Sequence, residues 1–164
     1  MSTNTVYPLK QILEVKQRRV EEAEKVVKEK QTALQKEQDK LKEIEAARDK
    51  VKEHQKDKLR QLRQMLDEGS TSPKILQTKE YLKTVDEKLK LEEKKVNDQK
   101  LQVSTAEKNL EAAQATLKIK RQEVDKLVNH KKDWEKEMRK KMAIIEGREQ
   151  DELGSTIHQA RNRR

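Results

Sequence analysis

Ile75–Leu110 reads ILQTKEYLKTVDEKLKLEEKKVNDQKLQVSTAEKNL, and the spacing of its aliphatic residues decides the fold. Every seventh residue from Ile75 is aliphatic: Leu82, Leu89, Val96, Val103 and Leu110. The row continues as Leu117, Val124, Lys131, Met138 and Ile145, with one polar interruption. An α-helix turns once in 3.6 residues, so a repeat of seven held this long stays on one seam only if two helices wind into a left-handed supercoil. The companion row, Thr78, Val85, Glu92, Gln99, Ala106, Ala113, Lys120, Leu127 and Trp134, is poorer but in phase.

The partner for that seam lies N-terminal to it in the same chain. Val6, Leu13, Val20, Val27, Leu34, Leu41, Arg48, Gln55 and Leu62 form one row of a first helix. Leu9, Lys16, Ala23, Lys30, Glu37, Ile44, Val51, Lys58 and Met65 form the other. Between the two helices stands Glu68-Gly69-Ser70-Thr71-Ser72-Pro73. Gly69 suits the left-handed residue that ends a helix. Ser72 is a good N-cap, with Pro73 at the first helical position, where its missing N–H is not needed. So short a connection forces antiparallel neighbours. The expectation is an all-α, single long antiparallel two-helix coiled-coil hairpin in one domain. Helix 1 should span about 7–67, the turn 68–72, helix 2 about 73–150, and a basic tail 151–164.

Composition agrees. Charged residues make up 43% of the 164-residue chain, apolar residues 31% and aromatics 2%, too little large apolar area for a globular core. The net charge of +9 is spread at about +3 over each of residues 8–68, 73–130 and 131–164, so no dominant basic patch arises. With few aromatics to stack on bases, a nucleic-acid binder is not expected. There is no cysteine, hence no disulfide and no thiolate metal site. His54, His130 and His158 stand apart without ligand spacing, and no phosphate loop or nucleophile motif is present. No cofactor and no catalysis are expected. The opening MSTNTVYPLKQ lacks the apolar stretch of a secretory signal, and no run is long enough to span a membrane. The cytoplasm is the expected compartment.

Folding the hairpin about residue 70 gives antiparallel partners whose numbers sum to about 140. Leu13 then meets Leu127, Leu34 meets Ala106, Ile44 meets Val96 and Val51 meets Leu89. Arg48 meets Glu92, an ion pair that would fix register; alternatively both side chains reach out to solvent. Lys16, Lys30, Lys58 and Lys120 mostly face apolar residues and should loosen the coil. Val6 meets Trp134, after which the first helix runs out while the second continues to at least Glu146. This overhang carries Trp134, Met138, Met142 and Ile145 among Arg139 and Arg148, and these six are the expected partner-binding residues. The bland alternative is a frayed helix end. The stretch Lys131–Ile145 could pass for a basic amphipathic membrane helix, but its interleaved Asp133, Glu135 and Glu137 oppose binding to anionic lipid.

Several segments together resemble one family. They are Tyr7-Pro8-Leu9, Ala23-Glu24-Lys25, Arg48-Asp49-Lys50, the turn Met65–Ser72, and His130–Glu137 around Trp134. Their order and the hairpin layout look like the YscO/FliJ family of type III secretion, nearest its injectisome YscO branch. The resemblance implies a cytoplasmic stalk of a bacterial export apparatus, similar to the coiled coil of the rotary ATPase γ subunit. It implies a terminal end entering a hexameric secretion ATPase, a link to the export gate protein, and contacts with export chaperones and the needle-length ruler protein. A monomer is expected, and the alternative is a spacer that self-associates through the overhang. The competing reading from the residues alone is a cytoplasmic coiled-coil chaperone or spacer that binds partner proteins through its unpaired C-terminal helix.

Overall fold

The computed structural model describes residues 6–163 and consists of two helices, α1 (Lys10–Glu68) and α2 (Ser72–Asn162), packed against each other as a helical hairpin. No strand occurs among the described residues.

The turn follows from its residues. Gly69 has φ +73°, and the Ser70 N–H reaches back to the Met65 carbonyl at 2.9 Å. That six-to-one bond with a left-handed glycine is a Schellman stop. The restart is one residue earlier than expected. The Thr71 carbonyl accepts the first helical bond, from Ile75 N–H at 3.2 Å, so Thr71 is the N-cap and Ser72 the first helical residue. Pro73 moves to the second position, still among the first four residues whose N–H groups have no helical acceptor. At the other end, Pro8 and Leu9 form a turn closed by Lys10 N–H to Tyr7 carbonyl, 3.1 Å, and α1 starts at Lys10, three residues after its expected start.

The hairpin divides into two compact units, one of residues 25–115 and one joining the residues up to Glu24 with those from Thr116 onward. In the first, the buried residues are those of the two α2 seam rows: Leu82, Val85, Leu89, Val96, Gln99, Val103, Ala106 and Ala113. Along α1 both rows are half-buried from Lys30 to Met65, and apart from Gln38 and Glu45 the residues between them are exposed. Gln99 bonds Glu37, His54 Nε2 lies 2.8 Å from the Tyr81 hydroxyl, and Gln55 bonds Asp86. In the second unit, Leu13 and Leu117 are buried, Lys16 bridges Glu123 at 3.0 Å, and Arg121 bridges Glu24 at 3.2 Å. Paired residue numbers sum to between 135 and 145 in both units, the register expected from the heptads.

The expected Arg48–Glu92 pair does not form. Arg48 pairs with Asp49 at 3.1 Å and Glu92 with Lys95 at 3.4 Å, each on its own helix. Neighbours along one helix are reached without crossing the seam, and the solvent there screens any longer attraction. The polar cross-link that occupies the seam is Gln99–Glu37. Lys16 does not merely cover apolar surface either: it finds Glu123, one step off the opposing seam. Lys58 stands 5.1 Å over the Tyr81 ring.

The largest departure from expectation is at the C-terminus. Residues 151–164 were expected as a basic tail, yet α2 runs on through Gly147 and Gly154 to Asn162. A helical glycine is unfavourable by about 1 kcal/mol relative to alanine, which lowers helix stability without ending the helix.

Candidate functional site

The end of the hairpin away from the turn is built by Tyr7, His130 and Trp134. Tyr7 is 4% exposed, the most buried aromatic of the chain. Its hydroxyl lies 2.5 Å from His130 Nδ1, and its ring meets Trp134 edge-on at 5.4 Å between centroids. Heptad extrapolation put Val6 opposite Trp134. Val6 is instead 63% exposed, because the chain before Lys10 is a turn and helical phase cannot be carried through it. Nothing in the heptad spacing singles out Tyr7. Pro8 next to it was the available signal, since proline in a first turn presets the approach of the preceding residue.

Beyond Trp134, α2 continues for twenty-eight residues to Asn162. A groove of about 690 Å³ opens there, with Tyr7, Lys10, Trp134, Met138, Arg139 and Met142 among its walls. Four of the six expected partner-binding residues, Trp134, Met138, Arg139 and Met142, are thus brought together. Ile145, 48% exposed, and the exposed Arg148 lie outside the groove. Ile144 is also open, at 56%. Two further exposed aliphatic residues, Leu153 and Ile157, lie in the segment expected to be a tail. The signal for them was spacing: Leu153 follows Met142 by eleven residues, and Ile157 is one helical turn further.

All three histidines have local partners: His130 with Tyr7, His54 with Tyr81, and His158 Nε2 with Asn162 at 3.3 Å. Among the described residues no cluster of three or more metal-type side chains occurs, and no helix is long and apolar enough to cross a membrane.

A YscO-like family model matches residues 4–164, nearly the whole chain. The chain belongs to the YscO-like family. Its members are associated with type III secretion. Among solved structures it is similar to CT670 from Chlamydia trachomatis, described as a proposed YscO homolog, at 48% identity and a TM-score of 0.91 over 98% of this chain and 99% of that one. No curated protein matches it. The resemblance read from the turn and the Trp134 segment therefore holds for this YscO-like chain as a whole.

Proposed function

We propose that this YscO-like protein is a non-catalytic stalk or adaptor of a type III secretion apparatus, working at its cytoplasmic face. In this reading its terminal end, carried by α2 beyond Trp134, enters the hexameric secretion ATPase. The hairpin links that ring to the export gate protein and engages export chaperones and the needle-length ruler protein. The observation that carries the reading is the continuation of α2 past the start of α1, with Met138 and Met142 in an open groove and Ile144 and Ile145 exposed. Burying each such side chain against a partner stabilises the complex by roughly 1.5–3 kcal/mol before the ordering terms. The flanking Arg139, Lys140 and Lys141 would face acidic surfaces of the ring, so capture should weaken as salt rises.

The test is capture of the cognate hexameric ATPase by the intact chain and by a chain ending at Trp134. The shortened chain should lose capture while circular dichroism still reports a cooperative helical melt. Equal capture by both chains would place the contact elsewhere and sink the reading.

A further inference from the structure

The charges on the overhang come in blocks. Lys136–Lys141 holds four basic residues and one acid, whereas Glu146–Glu152 holds four acids and one basic residue. The apolar residues also follow a second period here. One row keeps its step of seven through Met138 to Ile145, while Trp134 leads to Ile145 and Met142 to Leu153 by steps of eleven. An eleven-residue period is 3.67 per turn, so this stripe drifts with the opposite hand to the heptad seam and does not follow it round the helix. A stripe of that kind fits a partner helix laid alongside it.

The geometry points to a second copy of this chain as that partner, pairing antiparallel through Trp134–Ile157. Let the two overhangs run in opposite directions with facing positions summing to about 291. Trp134 then faces Ile157, Met138 faces Leu153, and Ile145 lies beside the two-fold axis. Arg139 and Lys141 of one copy come level with Glu152 and Glu149 of the other. Each such contact occurs twice, as an isologous interface requires. Glu149, which interrupts the apolar stripe, then faces Met142 and lies next to Lys141. Parallel pairing would stack the basic block on the basic block and the acidic on the acidic, so the charge pattern selects one orientation. The surface is available: Ile145, Leu153 and Ile157 are 48%, 63% and 56% exposed. This dimer departs from the monomer expected from sequence. It does not rest on the stalk reading, and it covers the face that reading assigns to the ATPase, so self-pairing and ATPase capture would compete.

The test uses the purified full-length protein alone. Sedimentation at low salt should show a mass rising with concentration from 19.4 kDa toward twice that value. The double variant R139E/K141E should weaken the dimer by roughly tenfold or more, and so should E149K/E152K, because each sets like charges opposite one another. An equimolar mixture of the two variants should dimerise again, since every facing pair is then complementary. That recovery also excludes misfolding as the cause of the loss. The chain lacks cysteine, so orientation can be read by cross-linking. Ile145→Cys should form a disulfide dimer under oxidation, whereas Met138→Cys, roughly 20 Å from its copy at 1.5 Å per residue, should not. A wild-type chain that stays at 19.4 kDa up to about 100 μM, a range that reaches weak affinities, overturns the proposal. So does a mixture that fails to recover, or cross-linking at both positions.

Discussion

Gln99 donates its side-chain amide across the seam to Glu37 twice, to the main-chain carbonyl at 2.9 Å and to carboxylate Oε2 at 2.5 Å. Gln99 is 8% exposed, and the other buried residues of α2 among those described are aliphatic side chains and alanines. A buried polar group in a coiled coil specifies alignment, because every shifted register leaves it without a partner. Gln99→Ala should therefore lower stability by about 1–3 kcal/mol, the range for a bond to a charged acceptor plus lost burial. Glu37→Ala leaves the main-chain carbonyl in place as acceptor and should destabilise less. Urea midpoints of the two variants check the order; a larger loss for Glu37→Ala would show that Gln99 depends on the carboxylate alone.

Arg48 and Glu92 make the contrasting case. They occupy facing seam positions, yet each takes an intrahelical partner. A double-mutant cycle on Arg48→Ala and Glu92→Ala should give a coupling within about 0.5 kcal/mol of zero, as for independent sites. The same cycle on Gln99 and Glu37 should exceed it.

Heptad arithmetic is blind to the difference between these two pairs. It places residues at facing positions, and from Lys16–Glu123 to His54–Tyr81 that placement holds in both units. It does not choose among the acceptors that a long side chain can reach from there. Arg48 bonds Asp49 beside it on its own helix, whereas the short, buried Gln99 amide bonds Glu37 on the opposite helix. Legibility also fails where the backbone stops being helical or apolar residues leave the heptad row. The turn at Pro8 and Leu9 moved Tyr7 into the place expected for Val6. Leu153 and Ile157 fall off the heptad row, which reaches Ile145 and then Glu152, and so were hidden. The turn residue Gly69 was readable because a left-handed residue has few alternatives to glycine. The candidate site was thus half visible: its side chains on α2 were found by spacing, and the aromatic lid from the N-terminus was not.

Tyr7 can be tested through its neighbour. Trp134 is the sole tryptophan, so its fluorescence reports this end of the hairpin alone. Tyr7→Phe keeps the ring contact and should leave the emission nearly unchanged, with a local loss of about 1 kcal/mol for the hydrogen bond to His130. Tyr7→Ala should shift the emission to longer wavelength and raise acrylamide quenching, because the edge-on ring is gone. The global melt should move little, since helix ends open locally. An unshifted emission in Tyr7→Ala would mean that Tyr7 does not shield Trp134.

The Lys16–Glu123 bridge predicts a pH dependence with a definite sign. The hydrogen bond from Lys16 holds the Glu123 carboxyl below its ordinary 4.5; partial burial opposes this, and the charges of Lys16, Lys120 and Arg19 reinforce it. The folded chain therefore releases this proton more readily than the unfolded chain. The contribution is fully present above the unfolded value and is lost as pH falls through the folded one. Glu123→Gln removes it at every pH. The difference in urea midpoint between wild type and Glu123→Gln should shrink on going from about pH 6 to about pH 3. Being within reach of solvent, the pair should also contribute less in high salt. A difference that grows with acid would reverse the assignment.

Gly147 and Gly154 interrupt the overhang without any packing reason. An added Cβ at Gly147 meets nothing within 4 Å, and neither residue has positive φ. Glycine there costs helix stability through the freedom it leaves the unfolded chain, so Gly147→Ala should stabilise the local helix by about 1 kcal/mol. Amide exchange around residue 147 should slow by about fivefold, the equilibrium equivalent of that energy. Exchange in the seam between Val96 and Val103 should not change, because those helices open as a separate cooperative region. The substitution also tells whether the glycine serves partner binding. If a stiffer helix is all that changes, self-association and ATPase capture should stay the same or tighten, since less ordering is left to be done on binding. A loss of either activity with a slower exchange rate would show that the overhang must bend at Gly147 to engage its partner.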